Sequence, residues 1–178
     1  RFTAWMADTI RPYVRQRVLE IGAGTGNLTA QLIPRVLYWA TDINPLYLMY
    51  LENVGRNRPY MKVGFTDAEN AESYPQEQKF DTVICLNVVE HLVNERGALM
   101  NIRAALEDGG RAIILVPCGP GLYGTLDEVL GHQRRYTRKS LEELVTRAEF
   151  KLESMLEVNR TGVIAGWLNC RRFRRRTL

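Results

Sequence analysis

The stretch VLEIGAGTGNLT, Val18 to Thr29, limits the fold more than any other part of the chain. An apolar run rich in β-favouring residues meets Gly22, Gly24 and Gly26 in a G-x-G-x-G spacing, and a helical pattern follows. Glycine at such a turn lets the backbone take conformations closed to other residues and lets a ligand approach the main chain. A strand, a tight glycine turn and a helix form the opening unit of an open α/β sheet. Ligands of such sheets bind outside the carboxyl ends of the strands, at the point where strand order reverses.

The rest of the chain repeats this alternation. RVLEIG (17–22), VLYWATD (36–42), YMKVGF (60–65), FDTVICL (80–86) and RAIILVP (111–117) are short, apolar and bounded by turn residues, and KLESMLEV (151–158) is a sixth candidate strand. Helical patterns occupy 25–34, 45–54, 95–107 and 138–148. EDGG (107–110) reads as a glycine helix stop and TRKSLEEL (137–144) as a capped helix start. The expected class is α/β, a doubly wound, mostly parallel sheet with helices on both faces.

At 178 residues and 46% hydrophobic composition, one domain is expected. It divides into an N-terminal helix (1–15), a core (16–117), a lid and acceptor segment (118–150), and a last strand with a basic helix (151–178). The first residue falls inside a helical pattern, so a piece of a longer protein is expected. No apolar run reaches the roughly 20 residues of a membrane span, and no signal-peptide pattern opens the chain, which predicts a cytoplasmic protein. Cys85, Cys118 and Cys170 are odd in number and far apart, predicting free thiols.

The net charge of +4 comes from RRFRRR, Arg171 to Arg176; without its five arginines 19 basic residues face 20 acidic ones. A near-neutral body argues against a general nucleic-acid surface. The basic C-terminal helix offers a contact to lipid or RNA phosphate, although a solvated helix end is the plainer expectation, and Trp167 and Phe173 there read as an apolar face for a missing part of the fold. Trp5, Met6 and Tyr13 are expected to pack the N-terminal helix on the sheet.

Three acids follow three consecutive strands. Glu20 stands two residues before the first glycine, Asp42 closes WATD, and Asp67 follows GFT. The pyrophosphate fingerprint would need a third glycine where Asn27 stands, and a carboxylate at the strand end repels pyrophosphate. A nucleoside carrying a positive charge and no phosphate suits the set. S-adenosylmethionine is such a ligand.

With VLEIGAGTG, ATDINP, FTDAEN and FDTVICLNVVEHL in order, Val18 to Phe150 resembles the class I S-adenosylmethionine-dependent methyltransferases, which are Rossmann-like. Glu20 is a candidate cofactor-binding residue on its charge, and the resemblance implies that Gly22, Ala23, Gly24 and Gly26 approach the cofactor's amino-acid part. Asp42 would meet the ribose with Ile43 beside it, Asp67 and Ala68 the adenine, and Leu86 and Asn87 would line the site. The segment YGTLDEVLGHQRRYTRKSLEELVTRAEF (123–150) resembles the lid over the acceptor pocket of bacterial small-molecule methyltransferases, some joined to glycosyltransferases. The family's last, antiparallel strand has no counterpart in the sequence.

The only two histidines, His91 in NVVEHL and His132 in GHQRRYT, fall at strand ends facing the expected crevice and are the candidate catalytic bases. Glu90 is expected to set the tautomer of His91, and Arg134 and Arg135 are candidates for holding an acceptor carboxylate or phosphate. NVVEHL resembles the Glu-His ending of metal-binding quinone-biosynthesis O-methyltransferases. Asn87 replaces their further acid, so no metal is expected.

Cys118 in LVPCGPG lacks the second Pro-Cys of cytosine-C5 enzymes, and the Asn-Pro-Pro-aromatic grip of base amino-methylating enzymes is missing; both argue against nucleic-acid acceptors. The expectation is methyl transfer to a small molecule or sugar-linked intermediate at oxygen. A cofactor-binding module without turnover is the alternative.

Overall fold

The computed structural model describes residues 2–157. Five strands, β1 (Arg17–Ile21), β2 (Leu37–Asp42), β3 (Met61–Phe65), β4 (Phe80–Leu86) and β5 (Leu106–Leu115), form one sheet in the order β3-β2-β1-β4-β5, every pair parallel. Strand order therefore reverses between β1 and β4, and the glycine turn leaves β1 at that point.

Alternation along the strands builds two cores. Val18, Tyr38, Ala40 and Ile84 pack with Ala7, Leu32 and Leu51 of α1 (Phe2–Ile10), α2 (Thr29–Leu32) and α3 (Pro45–Gly55). Leu19, Ile21, Val83 and Cys85 point the other way, against Leu99, Ile102, Leu144 and Val145 of α4 (Glu95–Ala105) and α6 (Arg138–Arg147). A short helix, α5 (Thr125–Leu130), lies in the connection after β5. Burial of both sheet faces is why these strands read as continuous apolar runs.

Several boundaries differ from the sequence reading. The helix expected over 25–34 shrinks to α2, because residues up to Leu28 belong to the glycine turn and Pro34 pushes Ile33 into extended backbone. The EDGG stretch ends no helix: α4 stops at Ala105 and β5 begins at once. Phe80 pairs with Leu106 and Thr82 with Arg111, so the surplus residues bulge out at Gly109, whose φ is +73°.

Residues 151–157 form no strand, and position 158 lies outside the described residues. On α1, Ala7 makes the core contact, while Trp5 is exposed and Met6 half-buried; Tyr13, in the 3-10 turn after α1, is exposed, so none of the three joins the buried core as expected. The expected helix start near Thr137 is present: Thr137 and Ser140 cap α6 reciprocally. Arg171–Arg176, Trp167, Phe173 and Cys170 lie outside the described residues. Among those described, no helix is long and apolar enough to cross a membrane.

Candidate functional site

The crevice opens at the carboxyl ends of the strands, and its first wall is main chain. Gly22 has φ +72°, and a Cβ there would sit 2.3 Å from Val88 Cγ2, so both conformation and space demand glycine. Gly24, at φ +56°, is different: a Cβ would meet nothing within 4 Å. It faces open space, where a ligand can approach the backbone. Gly26 packs under Leu51 and Val54 instead.

Asp42 ties this turn to β2. Its Oδ2 accepts from Gly24 N at 2.9 Å and its Oδ1 from Asn44 N at 2.9 Å, while Ala23 N donates to Thr41 O. Each carboxylate oxygen keeps a further acceptor site for a ligand hydroxyl. Next to it Ile43 is an apolar side chain 62% exposed at the crevice mouth.

At the end of β3, Asp67 Oδ1 accepts from Glu69 N, leaving Oδ2 available to an amine. Ala68 is buried, and its carbonyl is taken by Tyr74 Oη and Asn101 Nδ2, so its amide N–H is what it retains for a ligand. Beyond β4, Leu86 is half-buried and Asn87 exposed. Asn87 holds φ at +54°, a strained conformation of the kind found at ligand sites. These groups fit a nucleoside with a polar sugar edge, an amine and a non-phosphate tail.

Glu20 has a structural role that the sequence did not show. Strand parity turns its side chain toward the α1–α3 face, where it is buried and its Oε2 accepts from Thr29 Oγ1 at 2.6 Å and Tyr38 Oη at 2.7 Å. Burial pushes its carboxyl up to about 7 despite those two donors. Through Oε2 it anchors α2 to the sheet from below the turn.

The second wall is made of side chains. Glu90 and His91 lie in a 3-10 turn, Val89–His91, after β4. His132 follows α5, and Gly131 at φ +75° folds the chain so that His132 N donates to Asp127 O and Gln133 N to Glu90 O. The two imidazoles meet edge to face with centroids 4.8 Å apart. Thus the structure brings together the two histidines that the sequence left 41 positions apart.

Their partners differ from expectation. Glu90 does not set the tautomer of His91, whose Nδ1 lies 3.2 Å from the carbonyl oxygen of Gly131. A carbonyl can only accept, so His91 Nδ1 is the protonated nitrogen and Nε2 is left outward. His132 Nδ1 sits 2.8 Å from Asp127 Oδ1. Asp127 is buried, which would raise its pKa, but bonds from Arg135, His132 and Gly124 N hold it below the usual carboxylate range, so it is the acceptor. His132 Nε2 then points at Glu90 Oε1, 4.0 Å away.

Glu90 is 0% exposed, and neither carboxylate oxygen has a hydrogen-bond partner in the described structure. Burial pushes its carboxyl up, only partly offset by its own backbone and by His132. Asp127 escaped the sequence reading; its signal is the D-x4-H spacing across a glycine-ended helix.

Arg134 and Arg135 do not wait for an acceptor anion. Arg134 Nη1 donates to Glu95 Oε2 at 2.9 Å, which also takes Tyr136 Oη, and Arg135 Nε donates to Asp127 Oδ1 at 2.8 Å. They brace the lid segment. Among the described cysteines, Cys85 is buried with its thiol pushed up to about 12, mainly by burial, while Cys118 is exposed; both are free.

Known proteins share this organisation. A family model described as "Methyltransferase domain" matches residues 19–112. The polyketide synthase PksR of Bacillus subtilis is 29% identical over 134 residues, covering 64% of this chain and 5% of PksR. A malonyl-[acyl-carrier protein] O-methyltransferase of Haemophilus ducreyi is 32% identical over 99 residues, covering 53% of this chain and 38% of that protein. The solved structure of the trans-methyltransferase CalH in complex with SAH superposes with a TM-score of 0.64 at 22% identity, covering 83% of this chain and 47% of CalH. This chain therefore spans only a minor part of the curated relatives it matches.

Proposed function

The chain belongs to the methyltransferase domain family, whose methyl donor is S-adenosylmethionine, and on that premise we propose that it methylates a small-molecule acceptor at oxygen. The observation that carries this reading is the pairing of an open glycine turn, seated on Asp42, with two histidines across the same crevice. Bound S-adenosylmethionine supplies a methyl group on a sulfonium sulfur, and the acceptor oxygen takes it as the S–C bond breaks, its electrons passing to sulfur.

The main chain at Gly24 leaves room for the cofactor's amino-acid end, and Asp42 retains acceptor capacity for its ribose hydroxyls. Ile43 offers an apolar face, and Asp67 Oδ2 an acceptor, for the adenine. On the other wall, the Asp127 carboxylate holds the proton of His132 on Nδ1 and keeps Nε2 basic, poised to take the acceptor's hydroxyl proton as the oxygen attacks.

Apolar side chains rim the mouth: Val93 after β4, and Tyr123, Leu126 and Val129 along the lid, are all exposed. They suit an acceptor with an apolar or acyl body rather than a sugar. The Haemophilus relative's name, with its acyl-carrier substrate and oxygen acceptor, agrees with this choice.

The test is calorimetry with S-adenosylmethionine and its demethylated product, followed by turnover on acyl-thioester and hydroxyl acceptors. Micromolar binding is expected. Asp42→Ala should weaken it by about 100-fold, since charged hydrogen bonds are worth roughly 1.5–3 kcal/mol each. His132→Gln should leave binding intact and cut turnover by at least 100-fold, the usual contribution of a general base. Binding without turnover on any acceptor would favour a non-catalytic cofactor-binding module.

A further inference from the structure

The acceptor wall contains more than a base needs. Both imidazoles have Nδ1 committed to a fixed oxygen, Asp127 for His132 and the Gly131 carbonyl for His91, which leaves the two Nε2 atoms for a further partner. Beside them stands a wholly buried carboxylate with both oxygens unpartnered. One donor atom from each of Glu90, His91 and His132 lies within 4.8 Å of the others. His132 Nε2 and Glu90 Oε1 face each other at 4.0 Å, too far for a hydrogen bond. No hydrogen bond joins His132 Nε2 to Glu90, and a shared cation would satisfy both groups together with His91.

We propose that Glu90, His91 and His132 form a binding site for a divalent first-row transition-metal ion. Two ligands at 2.0–2.2 Å from a tetrahedral ion stand roughly 3.3 Å apart, so the groups need to close by less than about 1.5 Å. Two imidazoles and one carboxylate select zinc, cobalt, iron or manganese over calcium or magnesium. Asp127 supplies the outer carboxylate that orients a ligating histidine and raises its basicity, and Arg135 braces Asp127 in turn.

The sequence reading sets a metal aside because Asn87 stands where a further acid would be needed; in this site the third ligand comes from the lid instead. His91 is exposed while Glu90 is buried, so coordination positions remain open toward the crevice. With a metal bound, His132 Nε2 would be a ligand and not the base, and the ion would instead bind the acceptor oxygen and lower its pKa. That role rests on the proposed methyl transfer; the binding itself rests only on the geometry.

The experiment strips the chain with a chelator and titrates it with Co2+ and then Zn2+. One equivalent of Co2+ is expected to bind with a visible d–d absorption band and to be displaced by Zn2+. Exposed His91→Ala, which the fold tolerates, and Glu90→Gln should each weaken binding at least 100-fold. Asp127→Asn should weaken it 10- to 100-fold, and Cys118→Ser should leave it unchanged.

Absence of stoichiometric binding, or binding that survives both His91→Ala and Glu90→Gln, overturns the site. S-adenosylmethionine affinity is measured on the same samples. Metal binding without cofactor binding sinks the methyl-transfer reading and leaves the site standing; the reverse result does the opposite.

Discussion

At the β1–β2 end of the crevice the groups that shape the site are main chain: Gly22 and Gly24 in left-handed conformation, and backbone N–H groups seated on Asp42. At the β4–α5 end they are side chains from separate segments, with Glu90 and His91 on one and Asp127 and His132 on the other. The first wall is local and stiff, with its glycines and its acid 18 or 20 residues apart on neighbouring strands. The second exists only once the lid segment docks, through Gln133 N on Glu90 O and the Glu95–Arg134–Tyr136 cluster. A donor site common to a family can be carried by backbone. An acceptor site, which must differ among substrates, is carried by replaceable side chains.

Damage to the first wall should be the most severe. Gly22→Ala forces a Cβ into Val88 and a methyl-bearing residue into positive φ, and is expected to cost about 3–5 kcal/mol and to abolish cofactor binding. Gly24→Ala, with open space for its Cβ, should cost only about 1 kcal/mol. Urea melts and calorimetry on the pair measure both. Equal costs would show that the turn is not divided into a packed glycine and a ligand-facing one.

The anchor beneath that wall should respond to pH. Glu20 has its carboxyl raised to about 7 in the fold against an ordinary value of 4.5, so the folded state binds its proton more tightly. This stabilisation is fully present below about pH 4.5 and is lost as pH rises through 7. The loss is about 3 kcal/mol. Glu20→Gln should flatten that slope between pH 5 and 8 in urea melts. An unchanged slope would mean that Glu20 is ionised in the core.

Damage to the second wall should cost less than Gly22→Ala or the loss of the Glu20 anchor. Glu95→Gln removes the charge shared by Arg134 and Tyr136, and is expected to cost about 1–2 kcal/mol. Cofactor affinity should stay within twofold. A large fall in that affinity would show that the two walls are coupled and that their separation is only apparent.

Legibility in the sequence follows the same division. The strand–helix alternation, the glycine turn, the strand-end positions of the acids at 42 and 67 and the α6 cap were readable because each depends on neighbours within a few positions or on a simple alternation. The anchoring bonds of Glu20 were not readable, because lying near a strand end says nothing about which face its parity selects; that face holds Thr29 and Tyr38. The partners of His91 and His132, and the occupation of Arg134 and Arg135 by Glu95 and Asp127, were not readable at all.

The sequence by itself determined the alternating α/β class and the place where a nucleoside cofactor would lie. Backbone conformation and hydrophobic period are local properties, and the switch point follows from them. Only the tertiary structure decided that Glu90 is buried without a hydrogen-bond partner opposite two oriented imidazoles. That arrangement comes from a turn after β4 and a helix after β5 meeting across 41 residues, with Gly131 bending the chain between Asp127 and His132. Contacts at that separation are set by how whole elements pack.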